Sequence, residues 1–206
     1  MTVLLDDQTL PLDDLAPGAS VADVLARAKE RLTGTGAIIV GLRRDQQDIP
    51  GDELEEMLSQ PFSRSDDLEF ISDRPQSVVL EALAQVRLAF LDTFAEIKIA
   101  ADALASGKVS EAMQTLARSV EVWGRTHTSI IQGGLLVGLN FDAVRIGDHP
   151  IAYWLNQLAT KLRDLKAAIE SRDLVLLGDI LRYELDDTLQ QWEQMLNGFI
   201  AHIERL

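Results

Sequence analysis

Three histidines, His127, His149 and His202, are the side chains best suited to proton transfer or metal ligation in this sequence of 206 residues. A metal held by one helix needs two ligands three or four residues apart, so that both leave the same face. No His or carboxylate stands at that spacing from any of the three, and the Glu-x-x-His pairing of di-iron bundles is missing. No metal site is expected. The paired acids Asp6-Asp7, Asp13-Asp14, Asp66-Asp67 and Asp186-Asp187 are chain neighbours, whereas glycosidase-type chemistry sets two carboxylates facing one another across a cleft. They read as solvated surface, as do Asp52, Glu53, Glu55 and Glu56, which suit the start of a helix. The chain has no Cys, which removes thiolate nucleophiles, thiolate zinc sites, iron–sulfur clusters and disulfides. It also has no G-x-S-x-G, no phosphate-cradling P-loop and no dinucleotide glycine fingerprint. No catalytic residue and no cofactor is expected.

Lys and Arg number 19 against 33 Asp and Glu, a formal charge of −14. Nucleic-acid affinity comes largely from cations neutralising phosphates, so that class of partner is disfavoured and a basic or neutral partner fits better. No stretch offers the roughly 18 consecutive apolar residues of a membrane span, and the acidic start Met1–Asp7 lacks the basic and apolar regions of a signal peptide. A cytoplasmic protein that does not enter membranes is the expectation.

The elements that carry these residues fall into two halves. Five of the six Pro lie in residues 1–75, and only Pro150 in 76–206. Proline punctuates strands and turns but breaks helix interiors, so a strand-bearing domain at 1–75 precedes a helical one at 76–206, with the boundary near Asp73–Ser77. In the first half, Val3–Leu5 and Thr9–Leu12 predict a hairpin. Ser20, with Asp23 three residues on, caps a helix whose apolar face is Val21, Val24, Leu25, Ala28 and Leu32. Gly34 and Gly36 end that helix, Ala37–Val40 suits a central strand, Gly51–Leu58 a short acidic helix and Leu68–Ile71 a last strand. This order resembles the β-grasp, or ubiquitin-like, fold. The segment lacks the terminal Gly-Gly of conjugated modifiers, running instead through Ser72-Asp73-Arg74-Pro75, so conjugation is not expected.

In the second half, apolar residues recur every three or four positions in four runs. The first runs from Val79 through Phe90 to Leu104 and the second from Val109 through Trp123 to Ile130. The third runs from Ile151 to Ile169, and the fourth from the N-cap Asp173 through Leu181 and Trp192 to Phe199. Two short connections, Ser106–Lys108 and Ser171–Asp173, make an up-down four-helix bundle the economical way to bury all four stripes. The expected fold class is therefore α+β, a β-grasp domain followed by an all-α up-down bundle.

The connection Gln132–His149 is different. Leu135, Leu136, Val137, Leu139, Phe141, Val144 and Ile146 are too apolar for a solvated loop, and loops longer than about 12–15 residues are uncommon. Either it plugs one end of the bundle or packs on the first domain, or it meets a partner or a second subunit. Trp123, Trp154 and Trp192 fall one per helix, as core residues or as the lining of a groove that receives a partner helix. The candidate partner-binding residues are Leu135, Leu136, Leu139, Phe141, Trp154 and Trp192.

The stretch Ile97–Leu196 resembles the flagellar export chaperone family, through Ala100–Ala112 at the first turn, Ala167–Asp173 at the last, and Leu181–Trp192 beyond it. The resemblance implies a helical bundle that holds a segment of another protein; the N-terminal domain and the long connector are departures from that family's plan. The leading expectation is a non-enzymatic protein-interaction module, adaptor or chaperone-like. A second is a small-ligand protein or enzyme with a pocket between the domains, using His127, His149, Arg145 or Asp148. A third is a structural homo-oligomer such as a homodimer, with the connector in a symmetric interface.

Overall fold

The computed structural model describes residues 3–63 and 67–206. The chain is mixed α+β and divides into two compact units, Met1–Val78 and Val79–Leu206.

The first unit contains β1 (Val3–Leu5), β2 (Gln8–Thr9), α1 (Val21–Leu32), β3 (Ile38–Arg44), β4 (Gln47–Asp48), α2 (Gly51–Ser59) and β5 (Leu68–Asp73). The five strands form one sheet in the order β2-β1-β5-β3-β4, with β1 parallel to β5 and the other pairs antiparallel. Two tight turns set its hairpins. Asp6 and Asp7 have φ of 48° and 63°, and Asp45 and Gln46 have φ of 51° and 65°. Positive φ at both central residues is the turn whose twist matches paired strands, and Asp tolerates it. The Asp6 carboxylate also accepts from the Ser72 N–H at 2.7 Å, tying the first turn to β5.

Helix α1 starts as its sequence dictates. The Asp23 N–H donates to Ser20 Oγ at 3.3 Å, and the Ser20 N–H donates to Asp23 Oδ2 at 2.7 Å, a reciprocal capping box. Val21, Val24 and Ala28 are buried with Val3, Leu10, Leu42, Met57, Leu68 and Phe70. Three details differ from the sequence reading. The second hairpin strand is Gln8–Thr9, not Thr9–Leu12; β4 is an additional strand; and the strand expected at the sheet's centre over Ala37–Val40 is Ile38–Arg44, with β5 at the centre instead. Of the acid pair Asp66-Asp67, Asp66 lies outside the described residues, as do Met1 and Thr2.

The helical elements are α3 (Pro75–Ala105), α4 (Val109–Leu136), α5 (Ile151–Glu170), α6 (Leu174–Asp179) and α7 (Leu185–Ile203). A π-helical turn at Ile180–Glu184 joins the last two, and a small hairpin, β6 (Arg145–Ile146) and β7 (His149–Pro150), precedes α5. Neighbouring helices run antiparallel. Trp123 Nε1 donates to Thr93 Oγ1 at 2.9 Å and Ser119 Oγ to Glu96 Oε2 at 2.7 Å between α3 and α4. Arg87 Nε donates to Asn197 Oδ1 at 2.7 Å between α3 and α7, while Lys161 meets Glu184 at 2.6 Å between α5 and the π turn. Phe90, Trp123, Trp192, Phe199, Leu83 and Leu158 fill the core.

The two short connections share one geometry. The Lys108 N–H donates to Ala103 O at 2.9 Å and the Gly107 N–H to Leu104 O at 3.1 Å, while Asp173 N–H donates to Ala168 O and Arg172 N–H to Ile169 O, both at 3.1 Å. That is the paired closure of a Schellman motif, which needs a left-handed residue. Gly107 supplies it at φ 76° and Arg172, with a side chain, at φ 55°.

The last helix is not the single regular one its stripe predicts. Leu177, Leu181, Leu185 and Leu189 are all buried at successive four-residue steps. In an α-helix of 3.6 residues per turn each such step overshoots by about 40°, so three would swing the stripe off the core face. The wider π turn absorbs the excess and keeps all four leucines inward.

Candidate functional site

The connector that stood out in the sequence is built onto the helices. Helix α4 runs on to Leu136, and after it Val137, Leu139, Phe141, Val144 and Ile146 all pack against the helical core. Glycines receive two of them. A Cβ at Gly134 would lie 2.4 Å from Phe141 Cζ, and a Cβ at Gly198 would lie 2.5 Å from Ile146 Cγ2. Gly133 meets Val79 in the same way, at 2.8 Å. A helical Gly costs about 0.5–1 kcal/mol against Ala, and at these positions it admits a neighbour's bulk. Trp154 Nε1 then donates to Ile146 O at 3.2 Å, and Trp192 Nε1 to Trp154 O at 3.1 Å.

The six expected partner-binding residues therefore separate. Trp192 is 1% exposed, within the core; Leu139, Phe141 and Trp154 are half-buried against it. Leu135, at 65%, and Leu136 stand in solvent at the end of α4.

The polar candidates also separate. His149 stacks on Tyr153 with ring centroids 4.0 Å apart and meets Trp154 edge-on at 5.6 Å. Arg145 Nη2 donates to the Asp148 carbonyl and closes the β6–β7 turn. His127 instead lies on α4, stacked on Trp192 at 6.5 Å, where burial pushes its imidazole below the ordinary pKa. Among the described residues no group of three or more His, Asp or Glu is placed to hold a metal ion. Among the described residues no helix is long and apolar enough to cross a membrane.

A second surface escaped the sequence reading. Leu174, Val175 and Leu176 are all exposed at the start of α6, Val175 at 76%, with Ile169 exposed at the end of α5. Tyr183, in the π turn, is 70% exposed. Asp173 Oδ1 accepts from the Leu176 N–H at 2.9 Å and sets the phase of this turn, with Leu177 inward. The signal was present: in a run of four aliphatics, Leu174–Leu177, a 3.6-residue helix turns at least one outward.

The fold and these surfaces define a class: an α+β chain whose helical unit closes its own core and still presents aliphatic side chains to water at α4's end and at the α5–α6 corner. Residues 92–195 match a family described as a domain of unknown function, DUF8042, and the chain belongs to that family. The match runs from within α3 to within α7, so it includes the connector, the α5–α6 corner and the π turn. No curated protein and no solved structure matches the chain.

Proposed function

We propose that this chain is a non-enzymatic protein-interaction module, adaptor or chaperone-like, that works in the cytoplasm. The observation that carries the reading is the exposed run Leu174-Val175-Leu176 at the start of α6, with Ile169 exposed at the end of α5. Burying one such aliphatic side chain is worth about 1.5–3 kcal/mol, so a partner that covers several gains substantially. The sheet order β2-β1-β5-β3-β4, with its parallel β1–β5 pair and one long helix between hairpins, supports a β-grasp architecture for the first unit. The antiparallel neighbours α3–α4, α3–α7 and α5–α7 support an up-down four-helix bundle for the second. The resemblance to flagellar export chaperones supports a partner segment that is itself helical.

The test is capture at low salt with the wild-type chain and with Val175→Glu, each followed by identification of the bound proteins. The expected result is a reproducible partner that the variant loses. The same proteins bound by both chains, or none bound by either, would sink the reading. A homodimer is the second reading, supported by the same run, which could meet its own copy about a two-fold axis. Light scattering distinguishes it, since Val175→Glu would then convert a dimer to a monomer.

A further inference from the structure

The first unit carries an open sheet edge beside an apolar hollow. Strand β4 pairs only with Arg43 and Arg44, and the Ile49 N–H reaches Leu42 O at 2.9 Å. From Ile38 to Gly41, β3 has β5 on one side and, among the described residues, no strand on the other. The register shifts between Ile39 and Gly41, and Val40 is left exposed there. Natural sheets protect such edges with proline, inward charge, a bulge or a covering element, and of these the segment Ile38–Gly41 carries the bulge at Val40. None of Ile38, Ile39, Val40 and Gly41 is charged or proline.

Against this edge lies a hollow of about 310 Å³ between β3, α1 and α2. Leu25, Ile39, Leu54 and Leu58 line it, and it reaches Phe70, which is fully buried. Lys29 is the one charged residue of its lining, and the acids of α2 are not part of it. Lys29 lies on the exposed face of α1, and its ammonium meets no carboxylate among the described residues.

Each of these features specifies part of an occupant. An open main-chain edge recognises another extended main chain. Alternate residues of an added strand face the same way, so one side chain in two is offered to the hollow. The hollow's lining suits a branched aliphatic side chain, and the unpaired ammonium suits a carboxylate beside it. We propose that β3 takes a short extended segment of a partner protein as an added strand, with Val, Ile or Leu in the hollow and Asp or Glu against Lys29. This surface is separate from the α5–α6 corner, so either assignment can fail without the other.

The test uses the full chain and three synthetic peptides: acetyl-Ser-Asp-Val-Ile-Val-Asp-Ser-amide, the same peptide with Lys for both Asp, and the acidic peptide N-methylated at alternate amides. Amide chemical shifts report the site and the titration gives the Kd. The expected result is saturable binding of the acidic peptide, with shifts at residues 38–41. Lys29→Glu should weaken it about tenfold and reverse the preference toward the Lys peptide, and N-methylation should abolish it. Lys29 is exposed, so its variant folds, and its own spectrum confirms this. No saturation at millimolar peptide, equal binding of the N-methylated peptide, or shifts confined elsewhere would overturn the proposal. So would concentration-dependent shifts at residues 38–41 without peptide, which would assign the edge to a second copy of the chain.

Discussion

Trp192 and Trp154 are joined by a hydrogen bond that crosses from side chain to backbone: the indole N–H of Trp192, on α7, donates to the main-chain carbonyl of Trp154, on α5, at 3.1 Å. The Trp154 indole donates in turn to Ile146 O in the connector hairpin at 3.2 Å. One element of core thus holds the next in place, from α7 through α5 to the connector. Trp192→Phe keeps an aromatic ring but removes the donor and part of the volume. It should destabilise the chain by about 2–4 kcal/mol, measured as a lower urea midpoint with unchanged slope. An unchanged midpoint would mean that the relay contributes nothing.

Glycines of α4 should respond in opposite senses to the same substitution. Gly124→Ala adds a Cβ that meets no atom within 4 Å among the described residues, and should stabilise the helix by about 0.5–1 kcal/mol. Gly134→Ala drives a Cβ to within 2.4 Å of Phe141 and should destabilise by about 1–3 kcal/mol. Gly134→Ala should cost less in a Phe141→Ala background than in the wild-type chain. Thermal melts decide it; equal shifts for the two alanines would refute the wedge.

Arg172 holds a left-handed conformation that its neighbour turn assigns to Gly107. Arg172→Gly should raise stability by about 0.5–1 kcal/mol, because relief of the strained backbone exceeds the added freedom of the unfolded chain. A calorimetric Tm below wild type would show that the arginine side chain matters more than its φ.

His127 sets a pH dependence. Burial lowers its folded pKa below the ordinary value of about 6.5, so the unfolded chain binds the proton more readily. Stability is therefore complete above about pH 6.5 and declines as pH falls from there toward the folded pKa. His127→Gln removes this contribution. The difference in urea midpoint between variant and wild type should change in the variant's favour from pH 7.5 to about pH 5. A constant difference would mean that His127 keeps one pKa in both states.

Local rules made much of the fold legible. The capping box at Ser20 and Asp23, and the Asp173 N-cap, follow from side chains that reach their own helix. Strand β4 was not legible, because Gln47 and Asp48 have no β-branched character and the turn before them achieves positive φ without glycine. The π turn was hidden for another reason: four leucines spaced by four look like an α stripe until the overshoot is added up. At the candidate site, the apolar composition of the connector marked Leu135 and Leu136 but not their exposure, which comes from α4 running on to Leu136. The inward fate of Phe141 and Ile146 was not legible either, since it depends on Gly134 and Gly198, and nothing local distinguishes a glycine that admits a ring from one that merely bends.

The parallel pairing of β1 with β5 also has a consequence for synthesis. Val3 pairs with Leu68 and Leu5 with Phe70, so the first strand made finds one of its two neighbours only when the last strand of the unit appears. Closing so long a loop costs more entropy than the local turns of α3–α4 or α5–α6, and such long-range pairing slows folding. During translation β1 has only β2 beside it until β5, which ends at Asp73, has left the ribosome. A helical hairpin that follows can close as soon as its second helix is made, so β1 waits longer for its second neighbour than those helices do.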